Sequence, residues 1–286
     1  MITILNFTKN YSYTPFKIKT DNLVDNINSS LETLKDGNPY FLNYNPIEKI
    51  ENLKDINLNK IYDENIDVFY AKFFEIIKDV KHNFFIGGNH FISYLLTRYF
   101  SKKLRKKLSL VCFDAHHDLW DETPKGKKYT NGTWLRRSIE EGYVDPQKTF
   151  IFGVRSVYTK ESKEFLEKNK INVFHSYELM KSDPESIFDT LLSKIDDDPC
   201  YFSFDLDFFD PSIASAVLFP EPMGLDFFFV RNFFEKISEN WFSKKINFVC
   251  YDFVEYCPNL DTKNLISAIT LVNVFLLCLC YENMHL

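Results

Sequence analysis

Short runs of apolar, β-prone residues recur along this chain, and they are continuous rather than alternating: ITILNF from Ile2, NFFIGG around Phe84, LSLVCFD ending at Asp114, KTFIFGV before Arg155, INVFH before His175, CYFSFD ending at Asp205 and NFVCYD ending at Asp252. A strand with one wet face alternates apolar with polar, so unbroken runs of this length suit strands buried on both faces. Apolar residues at helical spacing fill the intervals: Asn65 to Val80, Phe91 to Leu104, Gly132 to Glu141, Lys160 to Lys168, Pro184 to Ile195, Asp226 to Ile237 and Thr262 to Cys280. Strand–helix alternation predicts an α/β chain with a parallel sheet and helices on both faces. With 286 residues, no internal repeat and no low-complexity linker, residues 1–286 read as a single domain. Residues 1–60 yield no clear pattern; the stretch from Phe7 to Pro46, rich in Asn and Tyr, is the hardest to read.

Composition narrows the function. The formal net charge of −6 disfavours nucleic acid, which needs a basic surface, and is compatible with a cationic substrate. The six cysteines form no CxxC pair and mostly sit in apolar runs, which reads as buried, reduced thiols. Met1 is not followed by a basic segment and a long apolar one, and the most apolar stretch, Leu271 to Tyr281, falls short of the roughly 20 residues that span a bilayer. These observations predict a cytoplasmic protein with no membrane partner.

The polar residues that close the strands carry the chemistry. In open α/β sheets, ligands bind beyond the carboxyl ends of the strands. Here NFFIGG runs into Asn89 and His90, LSLVCF into Asp114, His116, His117 and Asp118, CYFSF into Asp205 and Asp207, and NFVCY into Asp252 and Glu255. If Asp114 to Asp118 is extended, Asp114, His116 and Asp118 share a face, and so do Asp205 and Asp207. Carboxylates converging beyond a buried strand repel one another unless a cation lies between them. Asp210, before Pro211, suits turn chemistry rather than metal ligation. Glycine is scarce, 8 residues in all, so the pair Gly87-Gly88 ahead of Asn89-His90 marks a tight strand-to-helix turn.

Taken in order, GGNH (Gly87–His90), DAHHD (Asp114–Asp118) and SFDLDFFDP (Ser203–Pro211) resemble the patterns of the ureohydrolase (arginase–agmatinase) superfamily. The resemblance continues through Phe219-Pro220-Glu221-Pro222-Met223-Gly224-Leu225 and the D-x-x-E-x-x-P spacing of Asp252 to Pro258, and covers the chain from about Phe84 to the C-terminus. It implies a three-layer α/β/α sandwich with a mostly parallel central sheet. It also implies two Mn(II) ions per chain on His90, Asp114, His116, Asp118, Asp205 and Asp207. His90 and Asp118 would take one ion, His116 and Asp207 the other, with Asp114 and Asp205 bridging. Such a set, rich in carboxylate with two imidazoles, suits manganese without excluding zinc, cobalt or iron. Two ions there would activate water against a guanidinium carbon, a poor electrophile. By the same resemblance Glu255 binds the substrate guanidinium, and the chain assembles as a homo-oligomer, a trimer or hexamer.

Thr130-Asn131-Gly132-Thr133-Trp134 is similar to the agmatinase segment HGT-x-F, and Gly153-Val154-Arg155 to G-I-R. Where arginases carry acidic residues that hold the substrate α-amino group, this chain has Ser156-Val157-Tyr158. The resemblance therefore implies agmatine as the small cationic substrate, cleaved to putrescine and urea, with Asn131 and Arg155 in the substrate site beside Glu255. The alternatives are another guanidino or formimino hydrolase, such as a guanidinobutyrase or arginase, and a catalytically weak metal-binding member. The last arises because Asn131 replaces the family's proton-carrying His, and an amide can position but not titrate. His117, beside the metal ligands, is the candidate substitute for that proton transfer.

Overall fold

The computed structural model describes residues 2–8, 22–34, 53–181, 184–239 and 246–283. Its centre is one sheet of eight strands: β1 (Ile2–Asn6), β2 (Leu53–Asn57), β3 (Phe84–Gly87), β4 (Leu108–Phe113), β5 (Val144–Val154), β6 (Asn172–His175), β7 (Cys200–Asp205) and β8 (Phe248–Val254). The order is β2-β1-β3-β8-β7-β4-β5-β6 and every paired register is parallel. The strands whose ends carry Asn89-His90, Asp252 and Glu255, Asp205 and Asp207, and the DAHHD run are β3, β8, β7 and β4, which lie side by side in the middle of the sheet.

Successive residues of the continuous apolar runs go to opposite faces, as double burial requires. Phe84, Ile86, Val111, Phe113, Phe202, Phe204 and Phe253 pack into one core; Phe85, Leu110, Cys112, Tyr201, Cys250 and Val254 pack into the other. The first core is closed by helices α1 (Leu23–Leu34), α7 (Pro184–Ile195), α8 (Phe227–Glu239) and α9 (Ile266–Asn283). The second is closed by α2 (Ile66–Ile77), α3 (Ile92–Leu104) and α4 (Trp134–Glu140), with α5 (Lys160–Asn169) at its edge. A short α6 (Ser176–Leu179) follows β6. The architecture is thus the expected three-layer α/β/α sandwich. No helix among the described residues is long and apolar enough to cross a membrane.

Strand β2, helix α1 and the one-turn helix α6 escaped the sequence pattern, α6 because four residues are too few to show a period. Strand β2 is an edge strand whose residues are mostly wet, so LKDIN offers only Leu53 and Ile56 as apolar signals. Helix α1 buries Leu23, Ile27 and Leu31 at four-residue spacing, but Asn and Ser between them blur the pattern. Both lie in the N-terminal 60 residues; residues 9–21 and 35–52 of that region fall outside the described ones.

One glycine ties the sheet to the site. Gly153, at φ +99°, sits where β5 ends, and a Cβ there would lie 2.6 Å from Phe208 Cδ2 and 3.2 Å from the Asp114 carbonyl oxygen. Left-handed strain and the clash add, so Gly153→Ala is expected to cost on the order of 3 kcal/mol. Urea unfolding checks it; an unchanged midpoint would show that Phe208 yields freely.

Candidate metal centre

His90 is the clearest single indicator of what the cleft holds. Its Nε2 lies 3.0 Å from Ser203 Oγ, and Ser203 Oγ donates its own hydrogen to Asp252 Oδ1 at 2.6 Å. Having given away its hydrogen, the serine oxygen accepts, so the His90 proton sits on Nε2 and Nδ1 presents a bare lone pair. That Nδ1 faces Asp118 Oδ2 at 3.1 Å, Asp205 Oδ2 at 3.1 Å and Asp114 Oδ2 at 3.3 Å, yet makes no hydrogen bond. This nitrogen among three carboxylate oxygens in a buried pocket is unfavourable unless a proton or a metal ion lies between them. Residues and site therefore fit a divalent ion on the His90 side.

Asp252 anchors this arrangement. It is fully buried in mid-strand and accepts from Ser93 Oγ at 2.5 Å, Ser203 Oγ at 2.6 Å and the Tyr201 hydroxyl. Cys112, Ser203 and Asp252 stand in register across β4, β7 and β8, one row beneath the ligands. Cys112 joins His90 and Asp114 in a group whose donor atoms lie within 4.8 Å of one another, a proximity the sequence reading missed.

A second group lies next door. His116 Nδ1 is 3.0 Å from Asp207 Oδ2 and 3.5 Å from Asp114 Oδ1, and these three residues also converge within 4.8 Å. Asp114 thus turns Oδ2 toward His90 and Oδ1 toward His116, the disposition a bridging carboxylate needs. All six expected ligand residues converge in this cleft. The route differs from the expected one: β4 stops at Phe113 and β7 at Asp205, so strand alternation does not align the later ligands. Asp118 converges because its backbone turns left-handed, φ 51°, and Asp207 because Leu206–Phe208 forms a 3-10 turn capped by Asp205, which accepts from the Asp207 N–H at 2.9 Å. The first turn of α4 then grips Asp118, with Trp134 Nε1 donating to its Oδ2 at 2.7 Å.

The other expected site residues divide. Glu255, also left-handed at φ 64°, accepts from the His90 N–H through Oε1 at 2.7 Å, while its buried Oε2 has no hydrogen-bond partner among the described residues. Asn131 lies in a 3-10 turn and lines the same cavity, of about 640 Å³, as Glu255. His117 also lines it, but Nδ1 accepts from the Leu119 N–H at 3.0 Å, the ring bonds to the Val157 backbone and it stacks on Tyr158 at 4.6 Å. Burial pushes this imidazole down to about 4, and its bonds to the Leu119 and Val157 backbones brace two loops.

Arg155 departs from its expected place in the substrate site. Its guanidinium donates to the carbonyl oxygens of Gly153, Asp207, Phe208, Phe209, Glu221 and Pro222 at 2.7 to 3.2 Å, which consumes the whole fork. A guanidinium so saturated staples the Asp207 and Glu221 loops together and has nothing left for a substrate carboxylate. Asp210 does what its turn suggested: Oδ1 accepts from the Ser212 N–H and hydroxyl, and Oδ2 from the Gly224 N–H. The five cysteines that are buried and the partly buried Cys280 are all free.

The arginase family model matches residues 26–280, and the chain belongs to the arginase family. It is 30% identical to the guanidinopropionase of Pseudomonas aeruginosa over 200 residues, 69% of this chain and 60% of that protein. It is 29% identical to the agmatinase of Chromobacterium violaceum over 195 residues, 68% of this chain and 56% of that protein. The matched region thus spans less than two thirds of those relatives' length. In structure it is similar to a hypothetical agmatinase from Burkholderia thailandensis, with a TM-score of 0.78 at 21% identity over 99% of this chain and 86% of that one.

The cluster's protonation gives a prediction. Without cations, burial and mutual repulsion hold the Asp114 and Asp205 carboxyls well above the usual range, burial pushes Glu255 up to about 8, and the facing carboxylates hold His90 and His116 well above 6.5 despite burial. The folded, metal-free chain therefore binds more protons here than the unfolded chain. Stability must fall as pH rises from about 6.5 through 8. Melting in chelator is expected to show this loss, and added Mn(II) to abolish it; a chelated protein that gains stability over that window would contradict the cluster.

Proposed function

We propose that this chain hydrolyses the guanidino group of agmatine to putrescine and urea, using two Mn(II) ions held by His90, Asp114, His116, Asp118, Asp205 and Asp207. The observation that carries the reading is the charge of the cavity. Glu255 turns an unpartnered buried oxygen toward the ligand cleft, and among the described residues no Lys or Arg lines the walls. A guanidinium fits a carboxylate by charge and by paired geometry, and its arrival returns the raised Glu255 carboxyl to its ionised form. A divalent pair would supply an activated water and neutralise charge developing at the guanidinium carbon.

The chain's residues set the rest. Glu255 is held by the His90 amide, so a guanidinium paired with it would lie beside the proposed metal-binding residues. Trp120, Leu218 and Phe219 offer apolar walls to a methylene chain. Guanidinopropionase and guanidinobutyrase are among the relatives, but a guanidino acid would bring a carboxylate into a cavity whose nearby cation, Arg155, is spent on backbone carbonyls. Asn131 orients without transferring protons, which favours slow turnover as the second reading.

Urea release across a guanidino series tests the proposal. Agmatine is expected to give the highest kcat/KM, with arginine and 4-guanidinobutyrate at least about tenfold lower; a higher value for either acid would overturn it. Asn131→His is expected to raise kcat, since a placed His is worth about 10² to 10⁴ in general acid–base catalysis. No gain, with metal content intact, would remove the shuttle argument.

A further inference from the structure

The Pro220-Glu221-Pro222 strip presents a carboxylate that the ligand set and Glu255 do not account for. Glu221 lines the cavity with its side chain 35% exposed, so it lies toward the solvent rather than in the buried cleft. His116 Nε2 lies 3.8 Å from its carboxylate, too long for a hydrogen bond, and the Arg155 guanidinium is near enough to feel its charge.

Its backbone is unusually fixed for a loop. Proline on either side restricts the chain, and the Glu221 carbonyl accepts from Arg155 Nε at 3.1 Å and Nη2 at 2.9 Å. The same Nη2 donates to the Asp207 carbonyl at 2.7 Å. One guanidinium therefore ties the segment carrying Glu221 to the segment carrying a metal ligand and sets the spacing between them. A carboxylate on a backbone held in this way, in the same wall as Trp120 and Phe219, can receive a cation at the far end of a chain.

We propose that Glu221 is the specificity-determining residue that pairs with the distal ammonium of the substrate, with Arg155 as the positioning residue that holds it at length. The inference rests on the guanidino-hydrolase reading and names the substrate class as a guanidine bearing a second cation.

The test compares agmatine with pentylguanidine, which replaces the ammonium by a methyl group. Wild type and Glu221→Gln are loaded with Mn(II) and their metal content is verified. Each compound's kcat/KM is measured, and binding is measured by calorimetry. Losing one half-buried charge-assisted contact is expected to lower the preference for agmatine over pentylguanidine about tenfold, through KM and Kd rather than kcat. Glu221→Lys is expected to move the preference toward 4-guanidinobutyrate. An unchanged ratio in Glu221→Gln overturns the assignment, whether both compounds fall together, as they would if Glu221 acted through His116, or neither falls. If wild type turns over no guanidine, the hydrolase reading fails on its own, and the binding ratio still decides the role of Glu221.

Discussion

A histidine nitrogen with its lone pair exposed to carboxylate oxygens governs the organisation of this molecule. His90 turns Nδ1 toward Asp114, Asp118 and Asp205 because Nε2 is held by Ser203, whose own hydrogen is held by Asp252. Asp252 in turn is held by Ser93 and Tyr201 in the middle of four adjacent parallel strands. The hydrogen-bond chain runs outward from the rigid sheet to the cleft, so the tautomer of the ligand is set by the core. Without cations the cleft holds carboxylates that cannot all ionise together, and the folded chain meets that conflict by retaining protons. Cations of the right number and spacing remove it.

Strain is placed where the sheet can hold it. Asp118 and Glu255 both adopt left-handed backbone, which costs a non-glycine residue on the order of 1 kcal/mol or more. Each is pinned: Asp118 by Trp134 and by the Arg136 N–H on its carbonyl, Glu255 by its own N–H on the Gly88 carbonyl at 2.7 Å. Arg155 performs the corresponding work on the other wall, where six carbonyl oxygens from three segments share one guanidinium. Among the described residues no Lys or Arg lines the cavity, and Arg155 is taken up by the loops that carry Asp207 and Glu221.

Much of this was legible in the sequence because the double-sided burial of parallel strands writes itself as unbroken apolar runs, and polar residues ending such runs stand out. The strands β3, β4, β7 and β8 and the polar residues that close them were found that way, while the set of six expected ligands came from the family resemblance. The mechanism of convergence was not, since the left-handed turn at Asp118 and the 3-10 turn at Asp207 leave no periodic trace. Edge strand β2 and helix α1 carry too few apolar residues to be read alone. The surroundings of Arg155 and His117 were not legible, because a sequence shows that a side chain can bind or titrate but not that backbone groups already contact it. Glu221 lay within a recognised segment, and only the cavity gave it a place. The hydrogen-bond chain through Ser203 depends on cross-strand register, which the sequence does not display.

The central claim is that the orphaned His90 Nδ1 and the shared Asp114 enclose two cations. Diffraction from manganese-soaked crystals, with anomalous data at the manganese edge, addresses it directly. Two anomalous peaks per chain are expected flanking Asp114, one bonded to His90 Nδ1 and Asp118, the other to His116 Nδ1 and Asp207. An empty cleft in well-ordered, manganese-saturated crystals would contradict it, as would a peak on His90 Nε2 with Ser203 displaced.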